Sequence, residues 1–159
     1  VGVATDDGVR LHVEEDGPTD APVTVVFSHG FTANLGEWVL QRAALRDRAR
    51  LVFYDQRGHG RSADGGWRRA TIDQLGRDLQ AVLTATCPTG PVVLVGHSMG
   101  GMALMSWARQ FPAEVGDRVL GAFLLSTAAG ELVQTGPLGH VVRLLTRLRL
   151  LGLWLTVLR

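Results

Sequence analysis

Short, almost wholly apolar runs recur along the chain, and each ends in a cluster of glycine and polar residues. Residues 23–27, 51–54, 92–95 and 122–125 are such runs. They predict strands buried on both faces, since a strand with one wetted face alternates apolar and polar positions. Between them lie segments with helical spacing. Residues 71–85 give the clearest helix, with Thr71 and Gln74 as a capping box and Leu75, Leu79, Val82 and Leu83 on one face. Residues 36–48 predict a helix that buries Trp38, Leu40, Ala44 and Leu45, and residues 99–110 another, ended by Phe111-Pro112. Upstream, Asp6-Asp7-Gly8 is turn chemistry joining Val3 to Leu11-His12-Val13 as a hairpin. Strand and helix alternate from Val23 onward. That order predicts an α/β fold: a mostly parallel, doubly wound sheet of about six strands with helices on both faces.

The texture changes after residue 136. Residues 140–159 are mostly Leu and Val, interrupted by Arg143, Arg147, Arg149 and Arg159 and free of acids. The arginines break the apolar run short of the ~18 residues a spanning helix needs. A helix packed over the sheet or lining a pocket is the preferred reading, with a helix lying on an anionic membrane surface as the alternative. The expected division is therefore a core over 1–130 and the start of a helical segment over 131–159.

Composition adds limits more than direction. A chain of 159 residues with 46% hydrophobic and 19% charged residues is globular and long enough for a real core. A net charge of +1 gives no reason to expect nucleic acid as a partner. The lone Cys87 excludes an internal disulfide and reads as a structural thiol. No paired cysteines and no H-x-x-x-H spacing occur, so neither a metal nor a cofactor is expected. The segment opens with no charged-then-apolar leader, which leads us to expect a cytoplasmic protein.

The chemistry concentrates at Gly96-His97-Ser98-Met99-Gly100-Gly101, directly after the run at 92–95. A G-x-S-x-G pentapeptide between strand and helix holds a serine hydroxyl up at the carboxyl end of a sheet. Gly96 and Gly100 suit that turn because strand and helix approach too closely there for a Cβ. Two further polar loops follow strands: His29-Gly30-Phe31 after residues 23–27, and Asp55-Gln56-Arg57-Gly58-His59-Gly60-Arg61-Ser62 after residues 51–54.

Together these three stretches resemble the α/β-hydrolase fold superfamily, closest to its serine esterase, lipase and haloperoxidase-like members with a G-H-S-M-G-G elbow. The resemblance covers roughly residues 3–130. It implies Ser98 as nucleophile, with the backbone N–H groups of Phe31 and Met99 as the oxyanion hole. The product would be an acyl-enzyme that water hydrolyses. A serine at this position argues against the dehalogenase and epoxide-hydrolase branches, which carry aspartate there. Asp55 and Arg57 read as loop ties, His59 as a loop-fixing histidine, and His29 as an anchor for the oxyanion loop. His97, on the tight turn, is expected to point away from the serine hydroxyl.

In the family the triad acid and histidine follow the serine, on loops after later strands. Here His140 is the one histidine after Ser98, and Glu131 follows the run at 122–125; both are lesser candidates. Asp117 precedes that strand and so lies at the wrong end of the sheet. The expectation is thus the amino-terminal part of a longer serine hydrolase for small, apolar carboxylic esters. Carbon–carbon bond hydrolysis and perhydrolysis stay open, since they use the same triad. A degenerate, non-catalytic binding module is the alternative from a different class. The remainder of the chain, or pairing through the apolar strand at 122–125, would cover the exposed sheet edge.

Overall fold

In a computed structural model, which describes residues 1–130, every strand and helix expected up to residue 125 is present, with shifted ends. The strands are β1 (Gly2–Ala4), β2 (Arg10–Asp16), β3 (Thr24–Ser28), β4 (Arg50–Tyr54), β5 (Val92–His97) and β6 (Val119–Leu125). The helices are α1 (Val39–Leu45), α2 (Ile72–Thr86) and α3 (Met99–Gln110). One six-stranded sheet runs in the order β1-β2-β4-β3-β5-β6. The β1–β2 and β2–β4 pairs are antiparallel, and β4–β3, β3–β5 and β5–β6 are parallel. Val1–Thr127 forms one compact unit. Glu131, His140 and the segment 131–159 lie outside the described residues.

Alternation along the central strands feeds two cores. Val26, Val52, Tyr54 and Leu94 face α2 and α3, where Leu79, Val82, Leu83, Leu104 and Trp107 close over them. Phe27, Leu51, Phe53 and Val95 face the other way, onto Trp38 and the half-buried Leu35 and Leu45. Both faces are covered, which is why these strands read as continuous apolar runs. Thr71 caps α2, its Oγ1 accepting from Gln74 N–H at 3.1 Å. The reciprocal half of the capping box is not made: Gln74 Nε2 donates to Asp6 Oδ1 at 2.7 Å and Asp78 Oδ1 at 3.2 Å instead.

Two expectations need correction. Trp38 is buried, but Leu40 is 75% exposed and Ala44 is exposed as well. From Trp38, these are positions i+2 and i+6, which point away from the face that carries i, i+4 and i+7. The i+4 position is Arg42, whose guanidinium lies over the Phe53 ring, 4.8 Å from its centroid. A 3-10 turn at Leu35–Trp38, capped by Asn34, also sets the phase of α1 separately from the turn before it. The second correction is β6. It pairs with β5 at the end of the sheet order, but only Val119 of its residues is buried, and Phe123 is 66% exposed. An apolar strand needs cover to be buried, and the described residues bring β5 and part of α3 against β6 while leaving Leu120, Phe123, Leu124 and Leu125 exposed.

Behind the central loops sits a buried ion cluster. Arg57, immediately after β4, has a fully buried side chain. Its Nε and Nη2 donate to the Asp78 carboxylate, both at 2.6 Å, and its Nη1 and Nη2 to the Asp7 carboxylate, both at 2.9 Å. The guanidinium thus joins the β1–β2 turn, the loop after β4 and the middle of α2. Oxygens of Asp6, Asp7 and Asp78 converge within 4.8 Å, and the arginine is the cation among them. Hydrogen bonds from Arg57 hold the Asp7 carboxyl well below the usual carboxylate range.

Removing Arg57 strands the fully buried Asp78 charge. Arg57→Ala is expected to lower stability by about 3–5 kcal/mol, and Arg57→Lys to recover little of it, because an ammonium cannot serve two carboxylates as a planar fork does. Urea unfolding at pH 7 checks both. Because the folded pKa of Asp7 is depressed, its contribution is present at neutral pH and is lost as pH falls. Asp7→Asn should therefore be less stable than the parent at pH 7, and the gap should shrink below about pH 4, where the unfolded carboxylate protonates. Unfolding at a series of pH values measures that convergence.

Candidate active site

β5 ends at His97 and α3 begins at Met99, so the chain turns on Ser98 alone. Ser98 adopts φ 49° and ψ −113°, a conformation that side-chain-bearing residues avoid. The flanking glycines permit it. A methyl on Gly96 would stand 2.7 Å from Gly101 N, and one on Gly100 would collide with the Ser28 carbonyl and stand 2.8 Å from His29 O. Three hydrogen bonds hold the Ser98 backbone. Its N–H donates to Leu125 O at 2.9 Å, and its carbonyl accepts from Met102 N–H at 3.2 Å and from Thr127 Oγ1 at 2.7 Å. The serine is half-buried, and among the described residues no hydrogen bond engages its hydroxyl.

The loop after β3 stands beside this turn. A methyl on Gly30 would lie 3.6 Å from Ser98 Cβ and 2.8 Å from His97 Nδ1, so the two loops are in close approach. His29 is fully buried; its Nδ1 donates to Gly30 O at 2.8 Å and its Nε2 accepts from Gln56 N–H at 3.0 Å. Gln56 Nε2 in turn donates to His29 O. Burial pushes the His29 pKa below the ordinary imidazole value, in keeping with a neutral ring that donates from one nitrogen and accepts at the other. Gly30 N–H donates to Glu37 Oε2 at 2.9 Å, Thr32 N–H to His59 Nε2 at 3.3 Å, and Ala33 N–H to Gly30 O at 3.2 Å. His59 Nδ1 donates to Arg57 O at 2.9 Å, so that ring links the second polar loop to the first.

Two backbone donors stand apart from this lattice. Among the described residues, neither Phe31 N–H nor Met99 N–H has a hydrogen-bond partner, although Gly30, Thr32 and Ala33 N–H groups all do. Met99 is the first residue of α3, where backbone N–H groups have no intrahelical acceptor. Phe31 is 50% exposed, its ring meeting His59 edge-on at 5.7 Å.

The structure brings Gly30, Gly96, Ser98 and Gly100 together, and sets His29, Asp55 and Arg57 behind them. Asp55 and Arg57 do not pair with each other. Asp55 Oδ1 accepts from Leu35 N–H and Oδ2 from Arg61 N–H, each at 2.8 Å. His97 directs its Nδ1 onto Glu37 Oε1. No described histidine is engaged with Ser98. Glu37 and Thr127 contact the loops and were not singled out by sequence, for an acid in a 3-10 turn and a threonine in a strand-end loop look like surface residues.

A family model described as alpha/beta hydrolase fold matches residues 23–141. A bifunctional esterase/perhydrolase of Acinetobacter calcoaceticus is 35% identical over 134 residues, which is 84% of this chain and 46% of that protein. A 3-oxoadipate enol-lactonase of Acinetobacter baylyi is 37% identical over 98 residues, 62% of this chain and 35% of that protein. Among solved structures, a thermophilic esterase from Thermogutta terrifontis superposes with a TM-score of 0.73 at 30% identity, covering 96% of this chain and 54% of the other. The chain spans about half the length of the curated relatives it matches, or less. The match extends over most of the described sheet and over all three loops at its carboxyl end, and the chain belongs to the α/β-hydrolase fold family.

Proposed function

We propose that this chain supplies the nucleophile and the oxyanion-binding loops of a serine hydrolase for small carboxylic esters. The observation that carries this reading is a strained serine whose hydroxyl has no partner among the described residues, beside two backbone donors, at Phe31 and at the start of α3, that likewise have none there. Ser98 Oγ attacks the ester carbonyl carbon and gives up its proton to a general base. The carbonyl oxygen becomes an oxyanion held by Phe31 N–H and Met99 N–H. The intermediate collapses, the C–O bond to the alcohol breaks, and the alcohol leaves with the proton. Water then attacks the acyl-enzyme by the same route and releases the acid. The exposed Phe31 ring and the half-buried Met99 side chain favour an apolar acyl group.

Among the described residues no histidine is hydrogen-bonded to Ser98, and we look for the base elsewhere. His29 and His59 use both ring nitrogens within the loop lattice, and His97 turns Nδ1 to Glu37. We assign the base and its carboxylate partner to the portion of the relatives' length that this chain does not span. Two of the relatives are named for esterase, perhydrolase and lactonase activities, and these names support the reaction class without fixing the acyl group.

The test is covalent labelling of the full protein with a fluorophosphonate probe, followed by intact mass and peptide mapping. One adduct on Ser98 is expected, and none in Ser98→Ala; an unlabelled parent protein overturns the assignment. Hydrolysis of p-nitrophenyl acetate should fall about 10⁴-fold or more in Ser98→Ala. Gly30→Ala, whose methyl would press on the His97 ring, should displace the oxyanion loop. It is expected to lower kcat by about 100-fold with KM little changed, as a misplacement near 1 Å does.

A further inference from the structure

One carboxylate touches both halves of the site. Glu37 stands in the 3-10 turn Leu35–Trp38, whose start is fixed by Asn34 Oδ1 accepting from Gly36 N–H at 2.8 Å and by Asp55 Oδ1 accepting from Leu35 N–H at 2.8 Å. Oε2 of Glu37 accepts from Gly30 N–H, the donor immediately before the free N–H of Phe31. Its Oε1 lies against Nδ1 of His97, the residue immediately before Ser98. That Nδ1 is buried and makes no aligned hydrogen bond, so Oε1 is the polar group set beside it. The Glu37 side chain is 23% exposed, which keeps its charge partly shielded from water.

We propose that Glu37 is a positioning residue that fixes the separation between the Phe31 oxyanion donor and Ser98. The proposal rests on the serine-hydrolase reading above. Gly30 leaves only the width of the missing Cβ between the loop and the His97 ring, so the two segments touch there. The carboxylate adds a polar link between them. An ionised carboxylate only accepts, so a favourable contact requires a proton on His97 Nδ1, and this orients the ring as well as the loop. Developing charge on the substrate oxygen needs both donors near 2.9 Å at once. Loosening one loop relative to the other therefore costs the transition state and leaves ground-state binding nearly intact.

Substitutions at Glu37 in the full protein separate this role from a structural one. Glu37→Ala is expected to lower kcat for p-nitrophenyl acetate about 100-fold, the scale of one lost oxyanion donor, with KM within about two-fold of the parent. Glu37→Gln should recover most of kcat. Its amide oxygen still accepts from Gly30 N–H, and its NH₂ can donate to Nδ1 of the other histidine tautomer. Fluorophosphonate labelling at Ser98 should slow in parallel. A parent protein that does not label defeats the hydrolase reading itself. A parent that labels, with Glu37→Ala at parental kcat, defeats the Glu37 proposal alone. So does a Glu37→Gln variant as impaired as Glu37→Ala, or a loss carried by KM. If Glu37→Ala melts well below the parent, the better-packed Glu37→Gln decides: parental melting with restored kcat supports positioning, and parental melting without it overturns positioning.

Discussion

Everything at the carboxyl end of the sheet answers to the backbone of Ser98. Holding a non-glycine residue at φ 49° costs ~1–3 kcal/mol, and such a conformation persists only where its surroundings over-determine it. Here they do so from three directions. β6 receives the Ser98 N–H, Thr127 binds its carbonyl, and α3 begins at once so that Met102 binds that carbonyl too. The glycines are part of the same constraint. Gly100 lets the start of α3 rest on the Ser28 and His29 carbonyls, so the turn at Ser98 and the loop after β3 are packed against each other through main chain. β6 is therefore required twice, as a strand of the sheet and as the acceptor that stabilises the elbow.

The sheet supplies rigidity, and a buried charge cluster supplies register between distant segments. Arg57 reaches Asp78 across 21 residues and Asp7 across 50, and it does so with a guanidinium wholly removed from water. Such a cluster is weak evidence of net stability, because desolvating its charged groups offsets much of their attraction. What it fixes is geometry. The same loop that buries Arg57 carries Gln56 and His59, which bind the loop after β3 at His29 and Thr32. A displacement of α2 or of the first hairpin would be felt, through Arg57, at the residues beside Ser98.

Much of this was legible in the chain because the signals were local. The run at 92–95 followed by Gly96 and Gly100, and Thr71 ahead of an apolar stripe, specify their structure within a few residues. Elsewhere the decisive partner lay far along the chain. The loops of Asp55 and Arg57 could be read as tied, but not that each would choose a different partner, because Asp7 and Asp78 are chemically equivalent to any other acid until the fold brings them near. Leu40 and Ala44 failed for a different reason. Phase decides burial there, and a polar residue, Arg42, takes the inward face by setting its guanidinium over the Phe53 ring. Glu37 had no local signature at all.

The loop lattice also explains why two donors are free. Backbone N–H groups removed from water are nearly always paired, since leaving one unmade costs about 1–3 kcal/mol. Between residues 30 and 33, three of four are satisfied, two by Glu37 and His59 from outside the loop and one by Gly30 within it. These bonds hold the loop, with Thr32 at φ 61°, in a conformation in which Phe31 N–H has no acceptor among the described residues. Satisfying its neighbours is thus what keeps Phe31 unsatisfied. An acceptor brought by a ligand gains a hydrogen bond there without displacing a protein one, and it gains most if that acceptor carries negative charge.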